Sequence, residues 1–166
     1  MDIQKWINEI QPINDIYHYK CFDSYKYECI NEKKNGKGVL EYAGGVSING
    51  MWKDGKLLKG KMVDTYLDET YVGGFKDNLK HGFGKEKGFG DNDPYLYIGN
   101  FKDNYRQGLG KIYYNNSGVY CIGNFYKGEI NGFAYIEDNK SILNKTIFYI
   151  GYFKEHKKNG FGFRLS

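Results

Sequence analysis

The chain has 166 residues and a net charge of +4, enough for one domain and too short for a catalytic domain with an accessory one. Glycine, tyrosine and phenylalanine number 23, 17 and 11 against only 2 prolines, which excludes collagen, and 18% aromatics exclude a disordered chain. With a mean hydropathy of −0.68, any core must be thin and made of rings.

No apolar run is long enough for a membrane span, and no basic-then-apolar leader opens the chain, so it reads as soluble and intracellular. The head, residues 1–24, is predicted to contain a short helix. Asp2 can cap it, Ile3, Trp6, Ile7 and Ile10 follow at helical spacing, and Pro12 ends or kinks it. Two readings fit this head: a cap on the first elements of the body, or an amphipathic anchor to a membrane or a partner groove.

From Tyr25 the chain repeats itself. Tyr71-Val-Gly-Gly-Phe-Lys-Asp-Asn-Leu-Lys-His-Gly-Phe-Gly-Lys85 is followed by Tyr97-Ile-Gly-Asn-Phe-Lys-Asp-Asn-Tyr-Arg-Gln-Gly-Leu-Gly-Lys111, with further copies from Cys121 and Tyr149. Fainter copies begin at Tyr25 and Ile48. Six copies therefore cover residues 25–166.

Each copy reads as a β-hairpin. Alternation sets Tyr71, Gly73 and Phe75 on one face and Val72, Gly74 and Lys76 on the other. Asp54-Gly55, Asp77-Asn78, Asp103-Asn104 and Lys127-Gly128 supply turns, which Glu155-His156 fits poorly. A glycine on the aromatic side leaves room for a ring from the neighbouring hairpin to lie on the backbone. The predicted fold is all-β: an elongated, twisted, single-layer antiparallel sheet of stacked hairpins, about 55 Å long, with a short N-terminal helix.

The pattern Tyr-x-Gly-x-Phe/Trp-Lys-Asp/Asn-Gly/Asn-x-x-x-Gly-x-Gly, at a period near 23, resembles the MORN repeat (membrane occupation and recognition nexus). Departures are Tyr27 and Lys59 where glycines are expected, Cys121 for the leading aromatic and Ala134 for the last glycine. The resemblance implies an assembly part or adaptor of ciliary axonemes, cytoskeletal rings or motor-protein tails. In some members the repeats precede a lipid kinase, methyltransferase or exchange-factor domain, but here head and repeats fill the chain and no enzyme is expected.

Chemistry-bearing motifs are absent from the repeats as well. Cys21, Cys29 and Cys121 form neither a disulfide framework nor a zinc spacing, and His18, His81 and His156 share no motif. Gly82, Gly84, Gly88 and Gly90 serve the repeat and lack the lysine-serine ending of a phosphate loop, while Asp91-Asn92-Asp93 lacks the glycine and glutamate of a calcium loop. No metal, cofactor or nucleic-acid partner is expected.

Three surfaces are candidates for binding. Trp52, Tyr71, Phe75, Tyr97, Phe101, Phe125, Tyr149 and Phe153 form an aromatic surface for a helix or extended peptide of a protein partner. Lys76, Lys80, Lys85, Lys102, Arg106, Lys111, Lys154 and Lys158 recur in rows that suit an anionic membrane, though Asp54, Asp77, Asp103 and Glu155 sit beside them. The last strand, near Phe161 to Leu165, favours a homodimer or end-to-end pairing through its edge. Together with the resemblance, these place the chain in the cytoplasm, on a cytoskeletal or ciliary assembly or at a membrane periphery.

Overall fold

Alternating rings and glycines closed by two-residue turns produce the predicted hairpins. The computed structural model describes residues 26–30, 33–42, 44–90, 92–139 and 147–165. Its strands are β1 (Lys26–Ile30), β2 (Lys33–Tyr42), β3 (Val46–Lys53), β4 (Lys56–Asp64), β5 (Glu69–Lys76), β6 (Leu79–Gly90), β7 (Asp93–Lys102), β8 (Tyr105–Tyr114), β9 (Val119–Tyr126), β10 (Glu129–Asp138), β11 (Ile147–Lys154) and β12 (Lys157–Leu165). All 12 lie in one antiparallel sheet in chain order, so each hairpin pairs with the next. The helix expected around Ile3, Trp6, Ile7 and Ile10 lies outside the described residues.

The turns inside the second to sixth hairpins share one backbone form. Asp77 and Asn78 have φ of 49° and 63°, and Asp103 and Asn104 have 50° and 71°, the pair of positive values that matches the twist of the flanking strands. Glu155 and His156, at 50° and 60°, adopt the same turn, contrary to the poor fit expected of them. A hydrogen bond explains it. Asn104 donates its backbone N–H to the Lys80 carbonyl (3.0 Å) and accepts the Lys80 N–H on Oδ1 (2.8 Å). His156 repeats both contacts on the neighbouring hairpin, to the Ile130 carbonyl (3.2 Å) and from the Ile130 N–H on Nδ1 (3.3 Å). The imidazole thus stands in for the asparagine amide. His156→Asn should keep the wild-type stability, whereas His156→Ala should lose about 1 kcal/mol in urea unfolding.

The two glycines of the Gly-x-Gly segment have different tasks. The first sits in a β-bulge with positive φ, as at Gly108 (φ 75°), where the ladder between Gly99 and Phe101 shifts register. The second lies under a ring: a Cβ on Gly84 would fall 2.5 Å from Cε2 of Tyr71. That ring belongs to the same hairpin, not to the neighbouring one as expected. Tyr71 covers Gly73 and Gly84, Tyr97 covers Gly99 and Gly110, and Tyr149 covers Gly151 and Gly162.

The departures from the repeat are accommodated locally. The second hairpin has one residue fewer at its bulge, so Gly60, and not Lys61, takes the second glycine's place opposite Gly50. Leu57 fills the space above Gly50 that a tyrosine fills elsewhere. In the fifth hairpin the small Cys121 replaces the tyrosine, and the Ala134 methyl occupies the vacated space over Gly123.

The core is a zigzag of rings on one face. Tyr71 meets Phe75 and Phe101 edge-on at 5.2 and 4.9 Å, and Tyr97 meets Phe101 and Phe125 at 5.2 and 5.1 Å. Phe101 and Phe125 therefore each tie their hairpin to the one before. The buried Tyr71 and Tyr97 hydroxyls donate to the Gly74 and Asn100 carbonyls (2.9 and 3.0 Å), so burial leaves no stranded donor there.

Candidate functional site

A single-layer sheet has two faces, and the register assigns every strand residue to one of them, because residues opposite each other in an antiparallel ladder point the same way. The ring face holds Trp52, Tyr71, Phe75, Tyr97, Phe101, Phe125, Tyr149 and Phe153, all buried. These eight residues were expected to present an aromatic surface to a partner. They do not, because the glycines beneath them let the rings sink into the sheet and pack edge-on against one another. The free aromatic surface lies elsewhere.

The basic residues grouped by sequence divide between the two faces. Lys80, Arg106 and Lys158 pair across the ladder with Phe75, Phe101 and Phe153 and so belong to the ring face. Lys80 and Arg106 are consumed there by acids. The Lys80 ammonium bonds Glu69 and Glu86 (2.7 Å to Glu86 Oε2), and Arg106 donates Nε and Nη2 to Glu86 Oε1 at 3.1 and 2.8 Å. Tyr95 donates its hydroxyl to the same oxygen at 3.2 Å, and the Arg106 guanidinium stacks 4.3 Å above the Tyr95 ring. Lys158 is exposed and stands 4.2 Å over the Tyr149 ring.

Electrostatics in this cluster are compensated. Burial alone would raise the Glu86 carboxyl, but the Lys80 and Arg106 charges outweigh it and hold the group below its ordinary value. Burial likewise opposes the Arg106 charge, and Glu86 restores it. With two cations against Glu69 and Glu86, the cluster is neutral and cannot offer a lipid headgroup the charge expected of Lys80 and Arg106. Sequence reading missed Glu69, Glu86 and Tyr95 altogether.

The opposite face is basic and partly apolar. Away from the turns, β2 to β12 place Lys37, Lys59, Lys61, Lys85, Lys87 and Lys111 on it, against Glu41 and Glu137. Lys37, Lys61, Lys87 and Lys111 are exposed, Lys59 and Lys85 half-buried. Lys76, Lys102 and Lys154 share this face at its turn edge, and Lys56 there bridges to Asp77 at 3.5 Å. Phe83, Leu109, Ile122, Phe133, Ile150 and Tyr152 are among the exposed apolar residues interleaved with the lysines and continuing the face toward β12. The signal for this face was available in the residue parity: each member lies an odd number of positions from the glycine that faces its counterpart on the next strand, or from Ala134 on β10.

Cys121 is buried, and burial pushes its thiol up to about 12, which makes it a core residue and not a nucleophile. Among the described residues, no cluster of histidine, cysteine, aspartate or glutamate could hold a metal ion.

The family model of the MORN repeat matches the chain at residues 31–47, 71–89, 97–119 and 149–165. No curated protein matches it. The four segments fall on the first, third, fourth and sixth hairpins, and the hairpins from β3 and β9, where Ile48 and Cys121 replace the leading tyrosine, are the ones passed over.

Proposed function

Because the chain belongs to the MORN-repeat family, whose repeats are non-catalytic modules for binding proteins or membranes, we propose that it is a non-enzymatic scaffold that docks a protein partner along the lysine face. The observation that carries this reading is the division of charge. Six mid-strand lysines stand against two glutamates on a face that also exposes Phe83, Leu109 and Ile122. The ring face offers neither free charge in its middle nor free rings. A partner that fits is an acidic amphipathic helix or extended segment, its apolar residues on the phenylalanine and leucine row and its carboxylates on the lysines. The cytoplasmic, cytoskeletal or ciliary setting implied by the family belongs to this proposal.

A second reading, an anionic membrane surface, is favoured by one feature: Lys61, Lys85, Lys87 and Lys111 stand in mid-strand, away from the turn acids Asp77, Asp103 and Glu155. Each lysine near an anionic leaflet contributes about 1 kcal/mol. Two measurements separate the readings. Lysine-directed cross-linking of the native assembly should concentrate protein cross-links on Lys61, Lys87 and Lys111, and concentration on the ring-face residue Lys158 would refute the assigned face. Retention on phosphatidylserine vesicles at low salt, lost in the Lys61→Glu, Lys87→Glu, Lys111→Glu variant and without protein cross-links, would replace the first reading by the second.

A further inference from the structure

The small residues Gly73, Gly84, Gly99, Gly110, Gly123 and Ala134 stand opposite one another from β5 to β10. The residues just before and just after each of them point to the lysine face and form two lines, one toward the links between hairpins and one toward the hairpin turns. Apolar side chains change line at every strand. Val72, Ile98 and Ile122 lie on the link side, and Phe83, Leu109 and Phe133 lie between them on the turn side, so the six make a zigzag across six strands. Phe83, Leu109, Ile122 and Phe133 are exposed.

Charge keeps the same step. Lys61, Lys85 and Lys111 occupy the link-side line on β4, β6 and β8, each beside a valine or isoleucine of the next strand. The cations then stop. On β10, Tyr135 and Glu137 stand where β6 has Lys85 and Lys87.

Resting on the assignment of the lysine face as the docking face, we propose that the zigzag receives a single α-helix of the partner, laid across the strands with one heptad per hairpin. Its flank toward the links is acidic over β4 to β8 and free of acids over β10. Spacing selects the helix. The apolar contacts change side at every strand, about 4.8 Å apart on the sheet, and the path is longer above a twisted sheet than within it. The a and d residues of a heptad change side every 3.5 residues on average, a rise of about 5.2 Å. A polyproline segment changes ridge at every residue, about 3.1 Å, and an extended strand presents one line of side chains with a repeat of about 6.8 Å. Neither follows the zigzag. Handedness agrees with the helix too, because the face of the sheet and the heptad stripe both turn in the left-handed sense.

The test places photoreactive p-benzoylphenylalanine at position 83, 109 or 133 of the native chain in its own cells, and mass spectrometry identifies the residue captured from each position. The expected result is one partner protein, its captured residues separated by about seven positions from 83 to 109 and by about seven again from 109 to 133. Aspartate or glutamate should lie within one helical turn of the first two captured residues and not of the third. Leu109→Asp should lower capture at positions 83 and 133 about tenfold or more with an unchanged circular dichroism spectrum, because that side chain is exposed in the free chain. Separations of two to four residues would overturn the helix and leave the docking face standing. Capture of the chain's own residues 1–24, or of no protein at any of the three positions, would also overturn the helix. Capture of lipid alone would overturn the docking-face reading on which it rests.

Discussion

Replacing Phe101 by alanine is expected to destabilise the chain by about 3–5 kcal/mol, whereas Lys102→Ala should change stability by less than about 0.5 kcal/mol. The two residues are adjacent and differ only in the face they occupy. Phe101 is 3% exposed and sits between Tyr71 and Tyr97, at 4.9 and 5.2 Å, so its loss opens a cavity that joins two hairpins. Among the described residues the sheet has no second layer to relax into that space. Lys102 is exposed beside the turn and buries nothing. Urea unfolding of the two variants measures both values, and equal effects would mean that the faces are wrongly assigned. Because each hairpin contacts its neighbours only, Phe101→Ala should also lower cooperativity, seen as a reduced m-value or a split transition.

Glu86→Ala should cost a similar amount, about 3–5 kcal/mol, for a different reason: it strands the Lys80 and Arg106 charges against buried rings. Replacing the whole cluster should not. The other hairpins place Leu57 or Ile130 where Lys80 and Arg106 stand, and Met62, Ile112 or Ile136 where Glu86 stands. A chain carrying Glu69→Val, Lys80→Leu, Glu86→Ile and Arg106→Ile copies those solutions and should be as stable as the wild type or more so. Acid separates the two designs further. The Glu86 carboxyl is depressed in the folded chain, so its stabilisation is fully present above its unfolded value, about 4.3, and is lost as pH falls through the folded one. The wild type should therefore weaken across that window, while the fourfold variant lacks this part of the loss. Identical acid profiles would show that the cluster contributes nothing to folding.

The hairpins were legible because Tyr71, Gly73 and Phe75 recur with a period of two and Asp-Asn or Asp-Gly pairs follow them; both are local signals that depend on backbone geometry alone. The function of the rings was harder to read. An alternating aromatic residue looks the same whether its ring stands out from a sheet or lies down on a glycine, and only the Tyr71–Gly84 contact distinguishes the two. Charge was the least legible property. Lys80 and Lys85 are five residues apart and look like members of one row, yet the bulge and the alternation send the first to Glu86 and the second to the opposite face beside Ile98. Their acidic partners gave no repeat signal, since Glu69 and Glu86 occur in one hairpin only. His156 illustrates the same limit in a turn, where an imidazole nitrogen does an amide oxygen's task.

The tight turns that join paired strands within hairpins fall between Lys53 and Lys56, Lys76 and Leu79, Lys102 and Tyr105, Tyr126 and Glu129, and Lys154 and Lys157, always across the same two-residue gap. The links between hairpins vary, from the short step between Gly90 and Asp93 to the long one between Asp138 and Ile147. Apart from the residue missing from the bulge of the second hairpin, the variation in sequence period is thus discharged along one margin of the ribbon. The other margin keeps a constant step of two strands per repeat, about 10 Å. A partner lying along the sheet would measure distance in hairpins and not in residues, so an insertion in a link would lengthen the chain without shifting any contact downstream, whereas a deleted hairpin would shift them all by one step.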